Sequence, residues 1–262
     1  FFIFFSCFIL NLRQKTKKGF IMLVIGHRGA LWEGLENSFD SFQKAIAAGC
    51  NRIELDVWGA KDFSLWVCHD QDLKRTAQLS QKITELTKKD LQQIKLNNQE
   101  PIPELEVVLE KFLPQVELNL ELKDSRKEVA LKLVEDLAKI KDHSKVIISS
   151  FDIKPLEWIE KKDPSLQLAL LWENEVSPDS KAFAELEEHP NWIFHPQADT
   201  LTTEIAKRLH KENKIIYPWV PRLGIEDTKR EELWQKMFDL KVHGLCTNYP
   251  RELKQWLAKK VG

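Results

Sequence analysis

From Met22 onward, short runs rich in Val, Ile and Leu recur with longer segments of helical periodicity between them. That alternation calls for a parallel sheet whose strands are joined by crossover helices. The runs fall at residues 23–26, 52–56, 116–122, 145–149, 166–171, 192–195, 214–219 and 244–247. Helices are predicted at residues 37–48, 103–112, 126–141, 153–162, 178–187, 202–212, 227–239 and 250–259, the first capped by Asn37 and stopped by Gly49. Eight units of each kind close as an α/β fold of the (β/α)8 type, and 262 residues suit a barrel that typically needs ~250. One segment, residues 63–99, breaks the rhythm with an extended run, "FSLWVCHD", and a polar Lys/Gln-rich helical stretch. It reads as a small insertion after the second strand. No linker or short repeat divides the rest, so residues 22–262 are expected to form one domain.

Residues 1–21 read as an extension outside that domain. Their apolar run, residues 1–10, is shorter than the ~20 residues a membrane span needs. The basic residues follow this run instead of preceding it, unlike a secretory signal. With Met22 as the natural start, a cytoplasmic location and no stable membrane insertion are expected; a truncated signal or tether, implying the periplasm or a membrane surface, is the rival reading. The cysteines Cys7, Cys50, Cys68 and Cys246 form no Cys-x-x-Cys pair, which argues against a zinc site and for free thiols in a reducing compartment. A formal net charge of -1 with no basic block gives nucleic acid no purchase. Nothing in the chain specifies an oligomeric state.

In a barrel of this kind the reactive groups lie at the C-terminal ends of the strands. His27 and Arg28 end the first strand, and Glu54 and Asp56 end the second on one face, because strand side chains alternate with a period of two. On the third, "VELNLELKD" puts Glu117, Asn119, Glu121 and Lys123 on one polar face. Glu54, Asp56 and Glu121 together make a hard, oxygen-rich site suited to Mg²⁺ or Ca²⁺. The alternative for Glu121 and Lys123 is an ion pair in a polar barrel layer. Arg28 offers a bidentate fork for phosphate oxygens and Lys123 a second positive charge. A phosphodiester leaves as a poorly stabilised alkoxide, so its cleavage needs a base and an acid, roles that His27 and His69 can fill near neutral pH. Phe151 and Trp219, at strand ends, read equally as apolar walls for a substrate and as core filling.

With these residues in place, the chain resembles the glycerophosphodiester phosphodiesterases. The matching segments run in the family's order: "HRG" at 27–29, "ENS" at 36–38, "ELD" at 54–56, "HD" at 69–70, "LKRT" at 73–76, "IPELEVVLE" at 102–110, "LELK" at 120–123, "SSF" at 149–151 and "GLCTNYP" at 244–250. The resemblance implies a TIM barrel that hydrolyses glycerophosphodiesters, such as glycerophosphocholine or glycerophosphoethanolamine, to sn-glycerol 3-phosphate and an alcohol. It implies His27 and His69 as the general acid/base pair, with the second His placed beside the metal in some relatives. It further implies Glu54, Asp56 and Glu121 as metal carboxylates, Arg28 and Lys123 as phosphate contacts, and Glu36 as an acid near the substrate.

Two departures stand out. Where the family has an Asp-Gly turn, this chain has Asp62-Phe63, which puts the turn type in question. Where the family commonly reads Trp-Thr-Val-Asn, this chain reads Trp219-Val220-Pro221-Arg222, and Arg222 either favours an additional anionic group or points to solvent. Two other readings stay open. A phospholipase-D-like lyase shares the His, Glu-x-Asp and His arrangement and forms a cyclic phosphate, and a barrel of this kind can also bind phosphodiesters without turnover.

Overall fold

The computed structural model of the protein describes residues 20–261 other than 175, 176, 178 and 179. Cys7, most of the expected extension and the start of the helix predicted at 178–187 lie outside the described residues. Ten strands are present among the described residues: β1 Leu23–Gly26, β2 Arg52–Gly59, β3 Leu65–Val67, β4 Asp72–Leu73, β5 Leu79–Lys82, β6 Glu117–Leu122, β7 Val146–Ser150, β8 Gln167–Trp172, β9 Ile193–Pro196 and β10 Gly244–Thr247. Strands β10, β1, β2, β6, β7, β8 and β9 pair side by side in that order, all in parallel.

The predicted seventh strand, 214–219, is present as a run of bridges and not as a regular ladder. Ile216 bridges Phe194, and Trp219 bridges both Gln197 and Cys246, which joins β9 to β10 and closes the (β/α)8 barrel. Pro218 is the reason for the irregularity, since it has no N–H to give to a ladder. Its carbonyl still accepts from Cys246 N at 2.8 Å, and its neighbour Trp219 N donates to Pro196 O at 2.9 Å.

Helices α1 Phe39–Ala47, α2 Lys74–Ala77, α3 Lys88–Leu91, α4 Leu105–Phe112, α5 Lys127–Leu137, α6 Ile153–Lys162, α7 Lys181–Glu188, α8 Thr203–Lys211, α9 Ile225–Asp239 and α10 Pro250–Val261, with short 3-10 helices at Ile83–Glu85 and His143–Lys145, complete the described elements. Apolar residues divide between two layers. Val24, Ile53, Leu55, Leu118, Leu120 and Ile148 point outward beneath the helices, while Ile25, Ile147, Ala169, Ile193, Tyr217 and Cys246 pack inside the barrel. The expected insertion after β2 builds its own small core from Trp66, Cys68, Leu73, Ile83, Leu91 and Leu96.

The cap of α1 corrects one expectation. Ser38, not Asn37, is the N-cap: its hydroxyl accepts from Ser41 N at 3.1 Å. Asn37 instead takes a left-handed conformation with φ 53° and turns its side chain into the barrel mouth. Gly49, at φ 81°, stops the helix as expected. The Asp62-Phe63 turn keeps the backbone that a glycine would favour, with Phe63 at φ 62° and Arg126 5.4 Å over its ring.

The turn after β1 is tighter still. Arg28 has φ 53° and Gly29 φ 89°, and a Cβ on Gly29 would lie 2.8 Å from the Ser41 carbonyl carbon. Backbone in such regions costs a side-chain-bearing residue ~1–3 kcal/mol. Gly29→Ala is therefore expected to lower the unfolding free energy by about 2 kcal/mol or more, read as a reduced urea midpoint at unchanged m-value.

Candidate active site

The register of β2 on β6 assembles the acidic centre. Asp56 is the direct partner of Glu121, and Glu54 lies one period below, opposite Asn119. One carboxylate oxygen from each of Glu54, Asp56 and Glu121 lies within 4.8 Å of the others, and all three residues are buried. Two oxygens on one Ca²⁺ at 2.3–2.6 Å can stand up to about 5 Å apart, so the cluster is of a size to share one ion. Glu54 Oε1 has no hydrogen-bond partner among the described residues. Asp56 Oδ1 and Glu121 Oε1 likewise accept no aligned hydrogen bond, although both are ion-paired to Lys123 Nζ, at 3.2 Å for Asp56.

Burial and then the neighbouring carboxylates Asp56 and Glu121 push the Glu54 carboxyl well above the usual range. Glu121 is pushed up to about 7 by burial, against the pull of Lys123. Burial works the same way on Asp56, but Lys123 and Arg28 outweigh it and hold this carboxyl below its ordinary value. Buried carboxylates with unpartnered oxygens and raised proton affinity are what a hard divalent cation would neutralise, so the residues present fit such an ion.

The remaining side chains are fastened around this centre. Arg28 N donates to Glu54 Oε2 at 2.8 Å, its Nη1 to Glu36 Oε1 at 2.8 Å, and its Nε sits 3.4 Å from Asp56 Oδ2. Asn37 Nδ2 donates to Asp56 Oδ2 at 2.7 Å, while Asn37 Oδ1 accepts from Asp56 N at 3.3 Å. Glu36 is buried and touched by three guanidinium groups, those of Arg28, Arg75 and Arg222. Burial raises its proton affinity, but Arg75 and Arg28 overcome this and keep it ionised.

Two histidines face the same mouth by different routes. His27 follows β1, and its N donates to Thr247 O at 3.0 Å, which places it beside Asn248 at the end of β10. His69 is delivered by the insertion: β3 runs antiparallel to β2, Cys68 N donates to Asp56 O at 3.1 Å, and Trp58 Nε1 holds His69 O at 3.0 Å.

Asn248 decides the state of His27. Its Nδ2 donates to Pro221 O at 2.7 Å, so its Oδ1 is the atom 2.7 Å from His27 Nδ1, and the ring must carry its proton there. Nε2 is left as the basic nitrogen. Burial, with Arg28 adding to it, lowers the His27 pKa to about 3, so the ring is neutral throughout the physiological range. Glu226 in turn holds Asn248 N at 2.8 Å. His69 Nδ1 is 2.7 Å from Asp70 Oδ1, and Asp70 is braced by Arg75 Nε at 2.8 Å. Burial lowers the His69 pKa too, and Arg28 assists, against the attraction of Asp56.

All ten residues singled out from the sequence lie at this end of the barrel. Phe151 stands edge-on to Trp219 with centroids 5.5 Å apart, and at 38% exposure it is not core filling. Lys123 Nζ lies 5.7 Å from the Phe151 ring centroid. Asn37, Asn248, Arg75 and Glu226 were not singled out. The first three sit inside the quoted segments "ENS", "GLCTNYP" and "LKRT", so the signal was present without its meaning; Glu226 carried none. His195, also at a strand end, lies deeper in the barrel, its Nε2 3.2 Å from Asn119 Nδ2, and takes no part in this cluster.

These features define a class: the (β/α)8 barrels that carry a buried acidic cluster able to hold a cation, flanked by guanidinium and ammonium groups, at the strand ends. Residues 27–252 match the model of the glycerophosphoryl diester phosphodiesterase family, and the chain belongs to that family. A glycerophosphodiester phosphodiesterase of Bacillus altitudinis is 28% identical over 242 residues, 87% of this chain and 94% of that protein. The glycerophosphodiester phosphodiesterase of Thermotoga maritima superimposes with a TM-score of 0.74 at 27% identity, covering 91% and 99% of the two chains. An Oleispira antarctica phosphodiesterase, solved with the product sn-glycerol-3-phosphate, shares the fold with a TM-score of 0.80 at 21% identity, over 91% and 97% of the chains. Among the described residues no helix is long and apolar enough to cross a membrane.

Two measurements check this geometry. Nitrogen NMR of the His27 ring should show the Nδ1–H tautomer from pH 5 to 8, and Asn248→Ala should turn it into a mixture; a pure Nε2–H form in the native protein would contradict the assignment. Adding Mg²⁺ or Ca²⁺ at about a hundred times its dissociation constant should stabilise the fold by ~2.7 kcal/mol, with the shift lost in Glu121→Gln. Identical melting of both proteins with and without either ion would remove the cation site.

Proposed function

We propose that this family member hydrolyses glycerophosphodiesters to sn-glycerol 3-phosphate and an alcohol, with Mg²⁺ or Ca²⁺ held by Glu54, Asp56 and Glu121. The observation that carries the reading is the cluster of three buried carboxylates between Arg28 and Lys123, each with an oxygen that accepts no aligned hydrogen bond among the described residues, at the mouth that His27 and His69 share. A bound ion would supply charge neutralisation for the phosphoryl oxygens. The protein's own groups do the rest. Arg28, whose Nη2 makes no hydrogen bond among the described residues, and Lys123 orient the phosphate and offset charge that builds up on it.

His27 Nε2, kept basic by Asn248, takes the proton from the attacking water as its oxygen bonds to phosphorus. His69 delivers a proton to the departing alkoxide as the P–O bond breaks. It is the ring suited to hold that proton, because the Asp70 carboxylate accepts from its Nδ1 and a bound phosphate adds negative charge nearby. Glu36 acts through the arginines by fixing the Arg28 fork, and Phe151 and Trp219 wall the uncharged part of the substrate. Free Cys50, Cys68 and Cys246 are in keeping with a cytoplasmic setting.

A coupled glycerol 3-phosphate assay over several glycerophosphodiesters, run with EDTA, Mg²⁺ and Ca²⁺, tests the activity, and phosphorus NMR of the products tests the chemistry. Release of glycerol 3-phosphate only with a divalent ion is expected; an accumulating cyclic diester would make the protein a lyase, and ion binding without release a binding barrel. His27→Ala and His69→Ala should each lower kcat by ~10²–10⁴. Full turnover in either variant would remove that histidine from the mechanism.

A further inference from the structure

Glu36 carries one negative charge and meets three guanidinium groups, and their accounts are not equal. Arg28 also pairs with Asp56, and Arg75 also pairs with Asp70. Arg222 has only Glu36, through Nε at 3.2 Å, and its two Nη groups make no hydrogen bond among the described residues. Its guanidinium is stacked 4.9 Å over the ring of Trp32, which is 42% exposed, so both open onto the barrel mouth. The position is fixed from behind, because Asn248 Nδ2 donates to Pro221 O at 2.7 Å and lies 3.4 Å from Arg222 O, and the other end of the same amide holds His27. An incompletely compensated guanidinium is thus anchored next to the reacting end of the site, on a flat aromatic support that pre-orients its fork.

The hydroxyls of glycerol can accept from such a group but bring no negative charge to compensate it. A choline or ethanolamine alcohol brings a positive charge towards Arg222 and Arg75, which repel it. We propose that Arg222, with Trp32 and Arg75, forms a second anion subsite, and that the protein prefers glycerophosphodiesters whose alcohol carries a phosphate or another anionic group. The subsite rests on the hydrolase reading above and specifies its substrate class.

Three substrates separate the possibilities: glycerophosphocholine, with a cationic alcohol; glycerophosphoglycerol, with a neutral one; and bis(glycerophospho)glycerol, whose alcohol bears a second phosphodiester. The native protein should show kcat/KM about tenfold to a hundredfold higher for the anionic substrate than for the neutral one, the range of a charge-assisted hydrogen bond, with the cationic one lowest. Arg222→Gln should reduce the anionic-to-neutral ratio at least tenfold through KM, and Arg222→Lys should retain part of it. Folding of both variants is checked by thermal melts.

Equal kcat/KM for the three substrates, a preference for the cationic one, or an Arg222→Gln protein with the native ratio would overturn the subsite while leaving the hydrolase reading intact. Failure of the native protein to release glycerol 3-phosphate from any of the three would overturn both.

Discussion

Three carboxylates are buried together at the ends of two neighbouring strands, and much of the surrounding structure follows from that cost. Burying like charges raises their proton affinity, as Glu54 and Glu121 show, unless positive or hydrogen-bonding groups are brought to them. The chain brings Lys123 from just beyond the end of β6, Arg28 from the turn after β1 and Asn37 from the turn before α1. Both Arg28 and Asn37 reach the site only by taking a left-handed backbone, so conformational strain is accepted where the charges demand it. Glu54 Oε1 is still left without a hydrogen-bond partner among the described residues.

Glu36 plays the complementary part on the cationic side. Its two oxygens gather guanidinium groups from the turn after β1, from α2 in the insertion and from the segment after the seventh strand. One buried carboxylate thereby ties three parts of the barrel rim to one another. The same economy appears at Asn248, where a single amide sets the His27 tautomer at one end and locates Arg222 at the other. One side chain thereby holds a histidine and an arginine of the barrel mouth in fixed relation.

Much of this was legible before any coordinates. The β/α alternation specified a barrel; the period of two put Glu54 and Asp56 on one face, and the strand-end rule drew His27, Arg28, Glu121 and Lys123 to the same end. Misreadings occurred where a local preference had two uses. Asn37 is a good helix cap by type, yet Ser38 next to it caps equally well and leaves Asn37 for Asp56. Residues 214–219 look like a strand by hydrophobicity, but Pro218 withholds an N–H, so the barrel closes through bridges.

The amino-acid order alone settled which groups would sit at strand ends and which way they would face, because side-chain alternation and helix periodicity are properties of neighbouring residues. Which groups meet is a different matter. Asp56 opposite Glu121, His69 folded back by β3, Asn248 beside His27 and Arg222 on Glu36 all depend on register and loop closure between residues far apart in the chain. Those pairings are set by how the whole barrel packs and closes, and no local pattern in the sequence encodes them.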